Sequence, residues 1–211
     1  MSELPKNPPH LNLDLKGGFR IDCGVDGRFV LSLRTATRAD IPTLQRWDRD
    51  PVVIASTSDD PDAAVAFGEE NDWEENIGLH QSDVWEYWIA EIDGRPIGAM
   101  QMIDPHREPT RYWGDIGPNL RALDIWIGEP DARGKGCGEM MMRLGIARCF
   151  SDPATTAIVI DPLASNTRAH AFYQRLGFEP VERRMFGEDD CLVHKLTRAD
   201  WRKAFPGDLP Q

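Results

Sequence analysis

Six residues constrain this chain more than any others: Arg133-Gly134-Lys135-Gly136-Cys137-Gly138. They lie between an apolar, strand-like run, Leu120–Ile127, and a helical run, Glu139–Phe150. Three glycines in five positions at the start of a helix leave backbone amides uncovered. The first turn of a helix has no internal acceptor for its N–H groups, and its dipole favours negative charge. Such a turn is suited to a phosphate.

The spacing sorts the folds that carry such loops. A Walker loop needs Gly-x-x-x-x-Gly-Lys-Ser/Thr, but here Lys135 precedes the second glycine and no Ser or Thr follows. A dinucleotide fingerprint needs Gly-x-Gly-x-x-Gly directly after a strand and an acid about 20 residues on. Asp161 suits that acid, yet the third glycine comes one place early and Glu129–Arg133 intervene. That reading is weak and stays open at this point. The third possibility is the pyrophosphate loop of acetyl-coenzyme A enzymes, Gln/Arg-x-x-Gly-x-Gly, matched by Arg133, Gly136 and Gly138.

A second stretch follows the apolar run Ala157–Ile160. From Asp161-Pro162 it continues through Asn166, Ala169, Phe172-Tyr173 and Gly177-Phe178. With these two motifs in this order, the chain resembles the GNAT acetyltransferase superfamily over roughly residues 29–198. The resemblance implies an α/β fold of mixed, mostly antiparallel sheet, splayed at its middle strands and flanked by helices. It also implies acetyl-CoA as cosubstrate, with Trp126, Ile127, Arg133, Gly134, Lys135, Gly136, Cys137, Gly138 and Asn166 along it. Asn166 has a plainer role as a helix cap.

Composition bounds the rest. At 211 residues and 41% apolar content the chain suits one globular domain, expected over 19–205 after a Pro-rich arm, 1–18. No apolar run approaches the roughly 18 residues of a membrane helix, and no secretory leader is visible. Cys23, Cys137, Cys149 and Cys191 show no metal spacing. Cys137 and Cys149 would lie about 18 Å apart on one helix, too far to bridge. A cytoplasmic protein without metal is expected. The net charge is −11, and Asp50–Gly94 holds 13 acids and no Lys or Arg. Such a field attracts cations and repels nucleic acid; a merely solvated surface is the bland alternative.

Alternation around Asp26-Gly27 and Asp93-Gly94 predicts two hairpins, the first an N-terminal extension. Thr37 predicts a helix cap, with Leu44 and Trp47 inward and Pro51 as the stop. A broken helical region is expected over Pro61–Leu79, and a loop over Asp104–Asn119.

Two groups stand out for chemistry. Asp124 sits inside the strand Leu123–Ile127, where an unpaired acid is costly unless used. An alkyl ammonium with a pKa of about 10.4 needs a base before it can attack a thioester. Tyr173 is the candidate acid for the departing thiolate. Within the superfamily the chain looks most like the aminoglycoside 6′-N-acetyltransferases. That likeness implies Asp124 as base, Asp161 at the amino sugar, and Tyr173 as acid. Tyr112 and Trp113 would offer a flat wall to a sugar ring, and Asp115 an ammonium contact. Lid packing is the equal alternative for the two aromatics. The expected partner is a cationic amine, and a homodimer follows from resemblance alone. Siderophore-type lysine acyltransferases and a non-catalytic acetyl-CoA-binding module are the competing readings. The siderophore relatives tend to carry His where this chain has Asp124.

Overall fold

The computed structural model describes residues 20–25, 29–59, 72–79 and 82–206. The arm at 1–18, the Asp26-Gly27 turn and residues 61–71 of the expected helical region lie outside them. Eight strands among these residues form one sheet. They are β1 (Arg20–Val25), β2 (Phe29–Thr35), β3 (Trp85–Ile92), β4 (Arg95–Ile103), β5 (Leu120–Trp126), β6 (Ala157–Ile160), β7 (Glu179–Phe186) and β8 (Asp189–Thr197). Their order is β1-β2-β3-β4-β5-β6-β8-β7. Every pairing is antiparallel except β5 with β6. The second hairpin turns at Asp93 (φ 49°) and Gly94 (φ 81°), two left-handed residues that match the twist of the flanking strands.

Six helices are described: α1 (Ile41–Trp47), α2 (Pro51–Thr57), α3 (Trp73–Leu79), α4 (Cys137–Ser151), α5 (Thr167–Arg175) and α6 (Arg198–Ala204). Leu44 and Trp47 are buried as expected. Pro51 does not stop α1, which already ends at Trp47. It opens α2, where a missing N–H costs nothing, and the Asp50 carboxylate accepts the Val52 N–H at 2.8 Å. Helix α6, unforeseen in the sequence, starts at the Thr197 hydroxyl and seats the fully buried Trp201. Helix α5 docks on β8 through His170 Nδ1 and His194 Nε2, 2.9 Å apart.

The two sheet faces differ. One carries α4, whose Met140, Met141, Met142, Leu144 and Ile146 pack with Leu31, Leu33, Trp88, Met100 and Leu123. The flexible thioethers fill an irregular space between helix and sheet. The opposite face holds two separate apolar clusters. One joins Leu44, Trp47, Trp73, Ile77, Tyr87 and Ile89. The other joins Trp113, Ala122, Val159, Leu163, Phe186 and Val193. Along β5, Leu123 and Ile125 turn to the α4 side, so Ala122, Asp124 and Trp126 turn to the other. Ala122 belongs to one cluster and Trp126 packs on its neighbour. Asp124 therefore lies at the cleft between them.

Candidate active site

The sheet opens beside Asp124. Strand β5 pairs with β6 only at Leu120, Arg121 and Ala122. Among the described residues no strand lies against that edge of β5 from Leu123 to Trp126. Its amides and carbonyls are free to meet an extended ligand. On the other edge Gln101 of β4 stands opposite Asp124. Gln101 Nε2 donates to the Tyr87 hydroxyl at 2.6 Å, and burial, then the Asp124 charge, push that phenol up to about 12.

Asp124 is exposed, although protein packs closely around its strand. Among the described residues it has no hydrogen-bond or ion-pair partner. The protein crowded around it, and then the Asp161 carboxylate, push its pKa up to about 7. Asp161 follows the last residue of β6 and is raised by burial, opposed by the hydrogen bond from Tyr112. The two acids titrate as a pair. On α5, Tyr173 is partly buried among Phe172, Phe178 and His194, with ring centroids at 5.1, 5.8 and 6.4 Å. Burial, and then the charges of Asp124 and Asp161, hold its phenol well above its ordinary pKa. It stays a proton donor within electrostatic reach of both acids.

The glycine loop forms as the spacing predicts. Gly134 (φ 71°) and Gly136 (φ 83°) occupy left-handed positions that a side chain would strain. Helix α4 makes its first bonds from Glu139 and Met140 to the Gly136 carbonyl, so the amides before them have no acceptor in the helix. Alternating left-handed residues ahead of a helix make an anion-binding concavity. Exposed Lys135 adds a positive charge. Cys137 is buried, so only its backbone faces the loop.

Several of the expected site residues have protein partners of their own. Arg133 does not extend toward a phosphate. Its guanidinium turns back to Asp50 at 2.8 Å and donates to the Ile127 and Gly128 carbonyls, both at 2.9 Å. It braces the loop from within. Asn166 Oδ1 accepts the Ala169 N–H at 3.0 Å, so this side chain closes its own helix. Trp113, only 3% exposed, is core rather than wall, packed edge-on to Phe186 at 5.1 Å. Half-exposed Tyr112 has one ring face covered by Phe186, at 4.7 Å and 16°, and donates its hydroxyl to Asp161 at 2.7 Å. Asp115 lines a groove of about 490 Å³ beyond Trp113, which shares no residue with Asp124, Asp161 or Tyr173. The two facing acids and the open strand edge lie elsewhere.

Sequence reasoning missed Gln101 and Tyr87 beside Asp124. The signal was Gln101, a polar residue in the apolar run Ile97–Ile103 and at the inward register of the acid. Asp50 was read only as part of the acidic run, although it anchors Arg133. Segment 50–59 also crosses to the far half of the sheet. Ser58 donates to Asp189 at 2.9 Å, and Ser165 donates to Asp59 at 2.7 Å. Among the described residues no three His, Cys, Asp or Glu gather as metal ligands, and no helix is long and apolar enough to cross a membrane.

The profile of the acetyltransferase (GNAT) domain family matches residues 36–186. An aminoglycoside N(6′)-acetyltransferase type 1 of Klebsiella pneumoniae is 30% identical over 151 residues, 71% of this chain and 74% of the relative. A kanamycin resistance protein of Rhizobium radiobacter is 36% identical over 73 residues, covering 34% of this chain and 68% of its own. An aminoglycoside acetyltransferase solved with coenzyme A and kanamycin superposes with a TM-score of 0.70 at 23% identity, over 82% of this chain and 98% of its own. An uncharacterised Bacillus halodurans protein gives a TM-score of 0.72 at 18% identity, over 97% of each chain. A splayed sheet, a glycine loop of the expected geometry and a profile spanning most of the chain agree: this protein belongs to the GNAT acetyltransferase family, as an acetyl-CoA-dependent N-acetyltransferase.

Proposed function

We propose that this enzyme acetylates the 6′-amine of an aminoglycoside by direct attack, with Asp124 as base and Tyr173 as acid. The observation that carries this reading is the pair of carboxylates, Asp124 and Asp161, facing the open strand edge within electrostatic reach of Tyr173. Acetyl-CoA supplies the activated acetyl thioester. The amides of Gly134–Gly138, with Lys135, suit its pyrophosphate, and the free edge of β5 through Trp126 and Ile127 suits its extended arm. Asn166, by capping α5, keeps that helix and Tyr173 in register.

Asp161 draws and orients the ammonium of the acceptor. Asp124, raised to about 7, accepts its proton as the nitrogen attacks. Backbone N–H groups on the β5 edge polarise the thioester carbonyl. Tyr173, held protonated, gives its proton to the sulfur that leaves. The relatives named as aminoglycoside acetyltransferases support this acceptor over lysine-type amines.

The sign of the pH dependence follows. A base whose pKa is raised is protonated, and idle, over a range in which an ordinary carboxylate would work. The kcat/KM is therefore expected to fall on the acid side as pH drops through about 7, rather than near 4. A rate profile from pH 5 to 9 measures this.

The acceptor itself is tested by release of coenzyme A thiol with kanamycin, tobramycin, a 6′-hydroxyl aminoglycoside, spermidine, lysine, hydroxylysine and a Lys-rich peptide. Turnover is expected with the 6′-amino compounds and not with the 6′-hydroxyl compound. Activity confined to lysine and hydroxylysine would sink the aminoglycoside reading.

A further inference from the structure

The loop before β5 is built to aim one phenol. Arg111 (φ 54°) and Gly114 (φ 62°) both take left-handed conformations on either side of Tyr112-Trp113, and the Gly114 N–H closes the turn on the Arg111 carbonyl at 2.8 Å. A non-glycine residue at φ 54° is uncommon and needs its surroundings to hold it. Those surroundings come from β7. Arg184 donates to the Trp113 carbonyl at 2.9 Å and lies 4.9 Å over the Phe186 ring, which packs edge-on to Trp113 and stacks on the Tyr112 ring. The end product of this bracing is a single polar contact, Tyr112 Oη–H to Asp161 Oδ2 at 2.7 Å.

A ring with one face covered and its hydroxyl engaged is poorly placed to serve mainly as a sugar platform. We propose that Tyr112 is a positioning residue, whose phenol fixes the Asp161 carboxylate toward Asp124 and keeps the charge of the acid pair on Asp161. The consequence for the reaction rests on the function proposed above. A fixed anion at Asp161 leaves Asp124 as the member that gains and loses the proton. Asp161 is faced by Tyr112 from the loop, Asp124 from β5, Arg184 from β7, Asp189 and Cys191 from β8, and Tyr173 from α5. Asp190 and Asp59 lie further out, around Cys191. Most of these groups are anionic or neutral, so the phenol is an important donor to this carboxylate.

Tyr112→Phe removes the hydroxyl and keeps the stacked ring. Without the hydrogen bond, the doubly ionised pair and the form charged on Asp161 both lose stabilisation. The form protonated on Asp161 does not, so the pair gives up its protons at higher pH. The acid limb of kcat/KM is expected to move up, by at most about one pH unit, the scale of one hydrogen bond to a charged group. The loss of rate should then be largest below pH 7 and shrink as pH rises. A role in packing alone would lower the rate by one factor at every pH, and that result would overturn the proposal. Carboxyl 13C titration of the substrate-free protein, wild type and Tyr112→Phe, gives a second readout that needs no acceptor. An upward move of the Asp161 titration supports the positioning role even if no tested amine is acetylated. Superimposable titrations refute it whatever the acceptor proves to be.

Discussion

Asp124→Asn is expected to lower kcat by about 10³-fold while acetyl-CoA affinity is unchanged. The side chains are nearly the same size, and Asp124 makes no hydrogen bond or ion pair among the described residues, so none is broken. What is lost is the only proton acceptor on β5 at the open edge of the sheet. The stability sign also helps. A carboxyl whose folded pKa is raised above its unfolded value favours folding while protonated, and that contribution is lost as pH rises through about 7. Above pH 7 the asparagine protein should therefore melt no lower than wild type. Stopped thiol release, calorimetric titration with acetyl-CoA and a melting curve together separate this outcome from misfolding. An asparagine protein with near-normal kcat would remove Asp124 from the mechanism.

The second large effect is on the fold. Gly128 follows β5 at the start of the segment that leads to the glycine loop. A Cβ there would lie 2.1 to 2.3 Å from three atoms of the Trp47 ring. Trp47 has little room to retreat, being 1% exposed and tied through Nε1–H to Glu129 Oε1 at 2.9 Å. Gly128→Ala is expected to cost about 3 kcal/mol through overpacking. For a chain of this size that corresponds to a melting point lower by roughly 6–12 °C. The Gly128 carbonyl also receives Arg133, so displacement should loosen the loop and raise the KM for acetyl-CoA. A melting curve and a KM measurement check both parts, and an alanine protein with wild-type values for each would refute the packing argument.

How far the sequence reading reached depended on the range of the interactions involved. The acid in β5 was visible because period-two alternation makes Asp124 anomalous within one strand. The loop was visible because left-handed positions select glycine locally. Arg133 was misjudged for the opposite reason: its partner Asp50 is 83 residues away and lies in a run that reads as plain surface charge. Trp113 likewise owes its burial to Phe186 and Arg184, contacts made only when β7 folds alongside. Asn166 fits both a family motif and a helix cap, and local pattern cannot separate the two until the hydrogen bond to Ala169 is seen. Pro51 is ambiguous in the same way, since proline both ends helices and opens them.

The most direct test of the account is the structure of its product. Wild-type protein would be incubated with acetyl-CoA and kanamycin, and the isolated product examined by two-dimensional NMR. One acetyl group on the 6′-nitrogen is expected, formed with no acetyl on the enzyme itself. An acetyl group on another amine would contradict the 6′ assignment, and one carried on the protein as an intermediate would contradict direct transfer.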